Sequence, residues 1–136
     1  MSVKVADRKP QKFGVLLSAE TLAAYTVQIC ANETHFPKKY RWALTNKMVD
    51  LALSIAIHIR EANAINAGNP EDYNERRGFQ LKAKGECGAL LELIQIALMT
   101  MPVGMQKAEN WSGLVKSTLD EIDVWMNSDK KRYARA

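Results

Sequence analysis

Apolar residues return every three or four positions along four stretches of this chain, and polar breaks separate the stretches. That spacing is the mark of helices buried on one face. Val15, Ala19, Leu22, Thr26 and Ile29 predict a first helix over Val15–Asn32. After the break Asn32–His35, Pro37 is expected to open a second helix that runs to about Ala67, with Met48, Leu51, Ala52, Ile55, Ile59 and Ala62 on one stripe. Gly68-Asn69-Pro70 ends it and starts a third. Asn69 suits the N-cap, Pro70 the first helical position, and Glu71 and Asp72 the positive end of the helix dipole.

The third helix, about Pro70–Thr100, becomes apolar nearly all round in its C-terminal half, through Leu90, Leu91, Leu93, Ile94, Ile96, Ala97 and Leu98. Such a helix is buried on more than one side. Either it is central in its own bundle or it meets another subunit. Met101-Pro102-Val103-Gly104 breaks the chain before a fourth helix, about Gln106–Ser128, with Trp111, Leu114, Val115, Thr118, Leu119, Ile122, Trp125 and Met126 on one face. No segment reads as a strand. Short connections between long helices make antiparallel neighbours, so the expected fold is all-α, an up-down-up-down four-helix bundle. The bundle spans 15–128, between a basic arm at 1–14 and a basic tail at 129–136.

Three glycines disturb the third helix. Gly78, Gly85 and Gly88 each cost about 1 kcal/mol relative to alanine in a helix interior. Gly85 and Gly88 lie one turn apart, and either a neighbouring helix of the bundle or another subunit would explain them by close approach.

Charge adds a second pattern. The net charge of +4 is carried by the ends. Lys4, Arg8, Lys9 and Lys12 face only Asp7 in the first 17 residues, and Lys130, Lys131, Arg132 and Arg135 crowd the last seven. The body between is net acidic, which speaks against a uniform basic coat for nonspecific duplex binding. In the expected topology the basic N-terminal arm, Arg60, Arg76, Arg77, Lys82, Lys84 and the tail gather at one pole. Lys38, Lys39, Arg41 and Lys47 gather at the other. There, cations in the first turn of a helix oppose the dipole, an arrangement unfavourable for the helix and favourable for an anion such as phosphate. Tyr40 and Trp42 stand among them, a mixture found in single-strand nucleic-acid sites. Trp42 has a second reading as the aromatic that plugs the bundle end.

Catalytic patterns are missing. A di-iron bundle needs Glu-x-x-His on two helices and two further inward glutamates. His58 and Glu61 form one reversed His-x-x-Glu, and no other helix supplies a second. There is no G-x-S-x-G, phosphate loop or recognisable Cys–His spacing. The expectation is a protein that is not an enzyme and holds neither metal nor cofactor. Cys30 and Cys87 read as buried, reduced thiols. No apolar run is long enough to span a membrane, and the charged N-terminus lacks the apolar core of a signal peptide, so the expected location is cytoplasmic.

The run HFPKKYRWALTNKMVDLALSIAIHIREAN, residues 35–63, resembles the F-P-K-x-x-R/E-x-x-L-T start of the second helix in the four helix bundle protein family. That family includes proteins encoded in ribosomal-RNA intervening sequences and the accessory variability determinants of diversity-generating retroelements. Phe36, Pro37, Lys38, Arg41, Leu44, Thr45 and the Ala52/Ile55 stripe carry the match, and the four-helix layout extends it over residues 15–128. The N-I-A-E-G ending of the intervening-sequence branch is here Ile59-Arg60-Glu61-Ala62-Asn63. With Lys-Lys-Tyr-Arg at the start, the chain looks closer to the retroelement branch.

The resemblance implies a homopentameric, positively charged assembly that binds reverse transcriptase and its template RNA, or RNA/DNA, without catalysing the reaction. Lys38, Lys39, Arg41, Arg76, Arg77, Lys82 and Lys84 would be the contacts. The family match bears directly on Lys38 and Arg41; the others, with Lys47, Lys130, Lys131 and Arg132, rest on charge and topology. An oligomeric interaction module of the intervening-sequence type, with no nucleic-acid role, is the other reading.

Overall fold

The computed structural model describes residues 14–133; all of the basic arm except Gly14, and Arg135 of the tail, fall outside that range. Four α-helices follow one another: α1 (Gly14–Cys30), α2 (Asn46–Asn63), α3 (Pro70–Thr100) and α4 (Met105–Tyr133). Each packs on its neighbours, α1 on α2, α2 on α3, α3 on α4, and α4 back on α1. This is the antiparallel up-down-up-down bundle that the hydrophobic spacing predicts. At 1.5 Å per residue, α3 alone is roughly 45 Å long.

The core follows the predicted stripes. Met48, Ala52, Ile55, Ile59 and Ala62 are buried on α2, and Trp111, Val115, Thr118, Ile122, Trp125 and Met126 on α4. Each fully buried aliphatic side chain contributes on the order of 1.5–3 kcal/mol relative to exposure. The apolar half of α3 is mostly accounted for within the bundle: Leu90, Ile94 and Ala97 are buried, and Leu91, Leu93 and Leu98 pack partly against the core. Ile96 and Met99 remain exposed.

Asn69 caps α3 as its sequence predicts. Its Oδ1 accepts the Asp72 backbone N–H at 2.9 Å, Pro70 occupies the first turn, and Glu71 and Asp72 face the dipole. Between α3 and α4 the turn needs a left-handed residue, and Gly104 supplies it with φ 91°.

The lead-in to α2 differs from expectation. Pro37 has φ −57° and ψ 142°, an extended conformation outside any helix. Lys38–Tyr40 form a 3₁₀ turn, Arg41–Thr45 a π-helical turn, and the regular α-helix begins only at Asn46. Tyr40, at φ −100° and ψ 1°, interrupts the run. Lys38 and Lys39 are therefore offset from the aligned peptides of α2, and the dipole conflict expected at these two positions is relieved. Lys47 remains in the first turn of α2.

The ends shift as well. The second helix stops at Asn63, short of Ala67, while Ala67 is buried in the connection. The fourth helix continues to Tyr133, through the start of the segment read as a tail. Lys130, Lys131 and Arg132 so occupy its last turn, where the dipole favours cations.

Close packing within the described bundle does not explain the glycines of α3. A Cβ built at Gly78, Gly85 or Gly88 would meet nothing within 4 Å among the described residues. Among the described residues no helix approaches them closely, because all three lie on the exposed face of α3.

Candidate nucleic-acid interface

The pole formed by the start of α2, the end of α3 and the start of α4 is built around one buried indole. Trp111 is completely enclosed, and its Nε1–H donates to Thr26 Oγ1 at 2.9 Å. The Thr26 hydroxyl in turn donates to the Leu22 carbonyl at 2.8 Å. Phe36 sets its ring edge-on to Trp111, with centroids 5.9 Å apart. The aromatic of the Phe-Pro-Lys run is thus a core residue, 1% exposed, that closes this end of the bundle. Leu44 and Thr45 are buried below it, and the Thr45 hydroxyl lies 3.9 Å from Met101 Sδ. The plug is Phe36 with Trp111.

Trp42 therefore does not plug the bundle. It is 83% exposed, on the outer side of the π-helical turn. Around it in sequence stand the predicted cations. Lys38, Lys39 and Lys47 are exposed, and among the described residues no carboxylate lies within 4.0 Å of any of them. Lys39 Nζ sits 5.3 Å from the centre of the half-buried Tyr40 ring. Arg41 Nη2 reaches Glu33 Oε2 at 3.1 Å, but both side chains are well exposed, so the pair holds little energy and gives way readily. Lys47 also borders an open groove of about 420 Å³ between α2 and α3, with Asp50, Leu51, Ser54, Glu86 and Leu93.

At the opposite pole the predicted residues separate. Arg76 is half-buried and committed: Nε and Nη2 grip the two oxygens of Asp129 at 2.6 and 2.9 Å, and Nη1 donates to the Ile65 carbonyl at 3.0 Å. Its guanidinium also lies 5.2 Å from the Trp125 ring and 5.7 Å from the Tyr133 ring. A guanidinium engaged on its edge and on its face is part of the packing, and three of its five N–H donors are already used. Lys84 pairs with Asp123 at 2.8 Å and stands roughly 20 Å along α3 from its start, well inside the length of the bundle. Lys82 lies over Phe79 at 5.8 Å. Arg77 Nη1 donates to the Tyr73 hydroxyl at 3.4 Å. Lys130, Lys131 and Arg132 stay exposed on the last turn of α4.

One further polar cluster escaped the sequence reading. His58 Nδ1 lies 2.8 Å from Glu86 Oε1, the Ser54 hydroxyl donates to Glu86 Oε2 at 2.7 Å, and the His58 ring stacks on Phe79. Ser54 Oγ is also 3.4 Å from the same Nδ1. In a nucleophilic relay the carboxylate and the hydroxyl take opposite ring nitrogens. Here both lie on the Nδ1 side, and Nε2 faces Glu61 at 3.9 Å. The cluster joins α2 to α3 and does not activate the serine. Among the described residues no group of three His, Cys, Asp or Glu side chains is placed to hold a metal ion, and no helix is long and apolar enough to cross a membrane.

The thiols are inert by position. Cys30 and Cys87 are buried and unpaired, and burial pushes each up to about 12. At Cys87 the charges of Glu86 and Asp123 add to that effect.

Comparison with known protein families, curated proteins and solved structures finds no match to this chain.

Proposed function

We propose that this four-helix bundle is a non-catalytic accessory protein of a diversity-generating retroelement. In this reading it binds reverse transcriptase and template RNA and supports mutagenic complementary-DNA synthesis. The observation that carries the nucleic-acid part is the group of exposed ammoniums at Lys38, Lys39 and Lys47, without a carboxylate partner among the described residues, on a chain whose body is net acidic. Lysines collected on one pole gain from phosphate contact, and these have no carboxylate partner among the described residues to give up. Arg41 joins them by exchanging an exposed partner. The link to a retroelement rests on the resemblance carried by Phe36, Pro37, Lys38, Arg41, Leu44 and Thr45.

Template RNA binding is measured between low and moderate salt, for the wild type and for Lys38→Glu/Lys39→Glu. Affinity falls steeply with salt in the wild type, and the slope is reduced by roughly one for each phosphate contact removed. No binding at any salt, or an unchanged slope in the variant, defeats the proposal. Co-purification with the reverse transcriptase tests the second partner.

The exposed apolar side chains support a self-associating module. Leu53 and Ile57 stand one turn apart on α2, Leu17 and Val27 lie on α1, and Leu81, Ile96 and Met99 on α3. Scattered apolar groups are normal on a monomer, and a set this large fits the pentamer that the resemblance implies. Light scattering decides between a pentameric and a monomeric mass. A pentamer that binds no RNA would favour the intervening-sequence type of module.

A further inference from the structure

Trp42 is one of three tryptophans and, among the described residues, the most exposed large hydrophobic side chain. The local backbone holds it there. A π-helical turn carries one residue more than an α-helical turn, and such turns are frequent at functional sites. In Arg41–Thr45 the inner positions go to Leu44 and Thr45, which are buried, while Trp42 and Ala43 face outward. The Asn46 backbone N–H returns to the Arg41 carbonyl and closes the turn. The indole is thus mounted on a segment fastened to the core on its inner side, with Phe36 packed on Trp111 just before it.

We infer that Trp42 is a stacking platform for an unpaired base of single-stranded nucleic acid, with Lys38, Lys39 and Lys47 taking the flanking phosphates. This deepens, and rests on, the polyanion-binding reading above. The surroundings of the indole favour a strand over the other acidic partners. A duplex presents phosphates but keeps its bases paired and stacked, so it leaves the indole without a partner. A peptide side chain needs a concave apolar pocket, and four open grooves formed by described residues are lined without Trp42. An exposed indole within five positions of Lys38, Lys39 and Lys47 along the chain matches a planar base on a phosphate backbone, the combination used by single-strand binding surfaces. The other two tryptophans, Trp111 and Trp125, are buried, so Trp42 alone offers its ring to solvent.

The test is a fluorescence titration of the full chain with an oligoadenylate RNA, its duplex form, inorganic polyphosphate and polyglutamate. The variants are Trp42→Ala, Trp42→Phe and Lys38→Glu/Lys39→Glu, and thermal melts confirm that each is folded. The single strand quenches wild-type tryptophan emission. Trp42→Ala weakens its binding roughly five- to hundred-fold, as expected for loss of one stacked base, and leaves the salt slope unchanged. Trp42→Phe retains most of the affinity, and polyphosphate binding is insensitive to either change.

Wild-type binding of the single strand that Trp42→Ala leaves intact overturns the stacking role and spares the polyanion reading. Equal loss of polyglutamate and RNA binding in Trp42→Ala overturns it in favour of an acidic protein partner. Absence of wild-type binding to every polyanion overturns both.

Discussion

Arg76 and Asp129 form a two-pronged ion pair, 2.6 and 2.9 Å long, that ties the first part of α3 to the last turns of α4. Asp129 is 3% exposed, and it also accepts from the Gln80 amide at 2.9 Å. Three donors around one carboxylate compensate its removal from water, and the Ile65 carbonyl draws the α2–α3 connection onto the same guanidinium. The basic last turn of α4 is thereby held in helical form against α3.

Removing one partner leaves the other charge buried. Asp129→Ala is expected to destabilise the fold by about 3–5 kcal/mol, measured by urea unfolding. The paired replacement Arg76→Met/Asp129→Leu should recover most of that loss, because neither charge then remains. Equal destabilisation by the single and the double variant would show that packing around Trp125 and Tyr133, and not charge, dominates here.

Among the described residues Thr26 is the acceptor for the indole N–H of Trp111. Thr26→Val keeps the shape and strands that donor in the core, at a cost of about 1–3 kcal/mol. Thr26→Ser retains the hydroxyl and should cost less. A Thr26→Val protein with wild-type unfolding midpoint would mean that the indole finds another partner.

Open space beside the α3 glycines makes alanine an improvement. Gly85→Ala and Gly88→Ala should each raise stability by roughly 0.5–1 kcal/mol, since the unfolded chain loses freedom and the added methyl clashes with nothing in the bundle. The thermal midpoint reads this directly. A fall in assembly mass in the same variants would place another copy of the chain against that face.

Alkaline pH should weaken the fold through its thiols. Cys30 and Cys87 ionise near 9.0 when unfolded and only at about 12 when folded, because burial opposes the thiolate. Stability from this source is complete below pH 9 and is lost as pH rises from there towards 12. Cys30→Ala/Cys87→Ala should show a shallower decline than the wild type over that interval in urea titrations. In the native wild type at neutral pH, thiol reagents should react only as fast as the protein opens.

The reach of local reasoning can be judged residue by residue. The Met48–Ala62 stripe on α2 and the Trp111–Met126 stripe on α4 were legible because a helix that buries one face must repeat its apolar residues every three or four positions. Asn69-Pro70-Glu71-Asp72 was legible for a similar reason, since a cap acts on the backbone beside it. Asp129 carried a weaker signal: it continues the inward stripe of α4 after Trp125 and Met126, an acidic group where a core residue belongs. Its partner, Arg76, lies 53 positions away, and no local pattern joins them.

The cationic pole shows the same division within a single motif. Spacing and charge determined four amphipathic helices, their antiparallel order and the gathering of Lys38, Lys39, Arg41 and Lys47 at one end. Only the tertiary structure decided that Phe36 turns inward onto Trp111 while Trp42, six residues later, faces solvent. It also decided that Arg76 is consumed by Asp129 while Lys38, Lys39 and Lys47 stay unpaired. Periodicity is a property of one helix and survives in the sequence. Which aromatic fills the bundle end, and which cation finds a carboxylate, depends on distances between helices far apart in the chain.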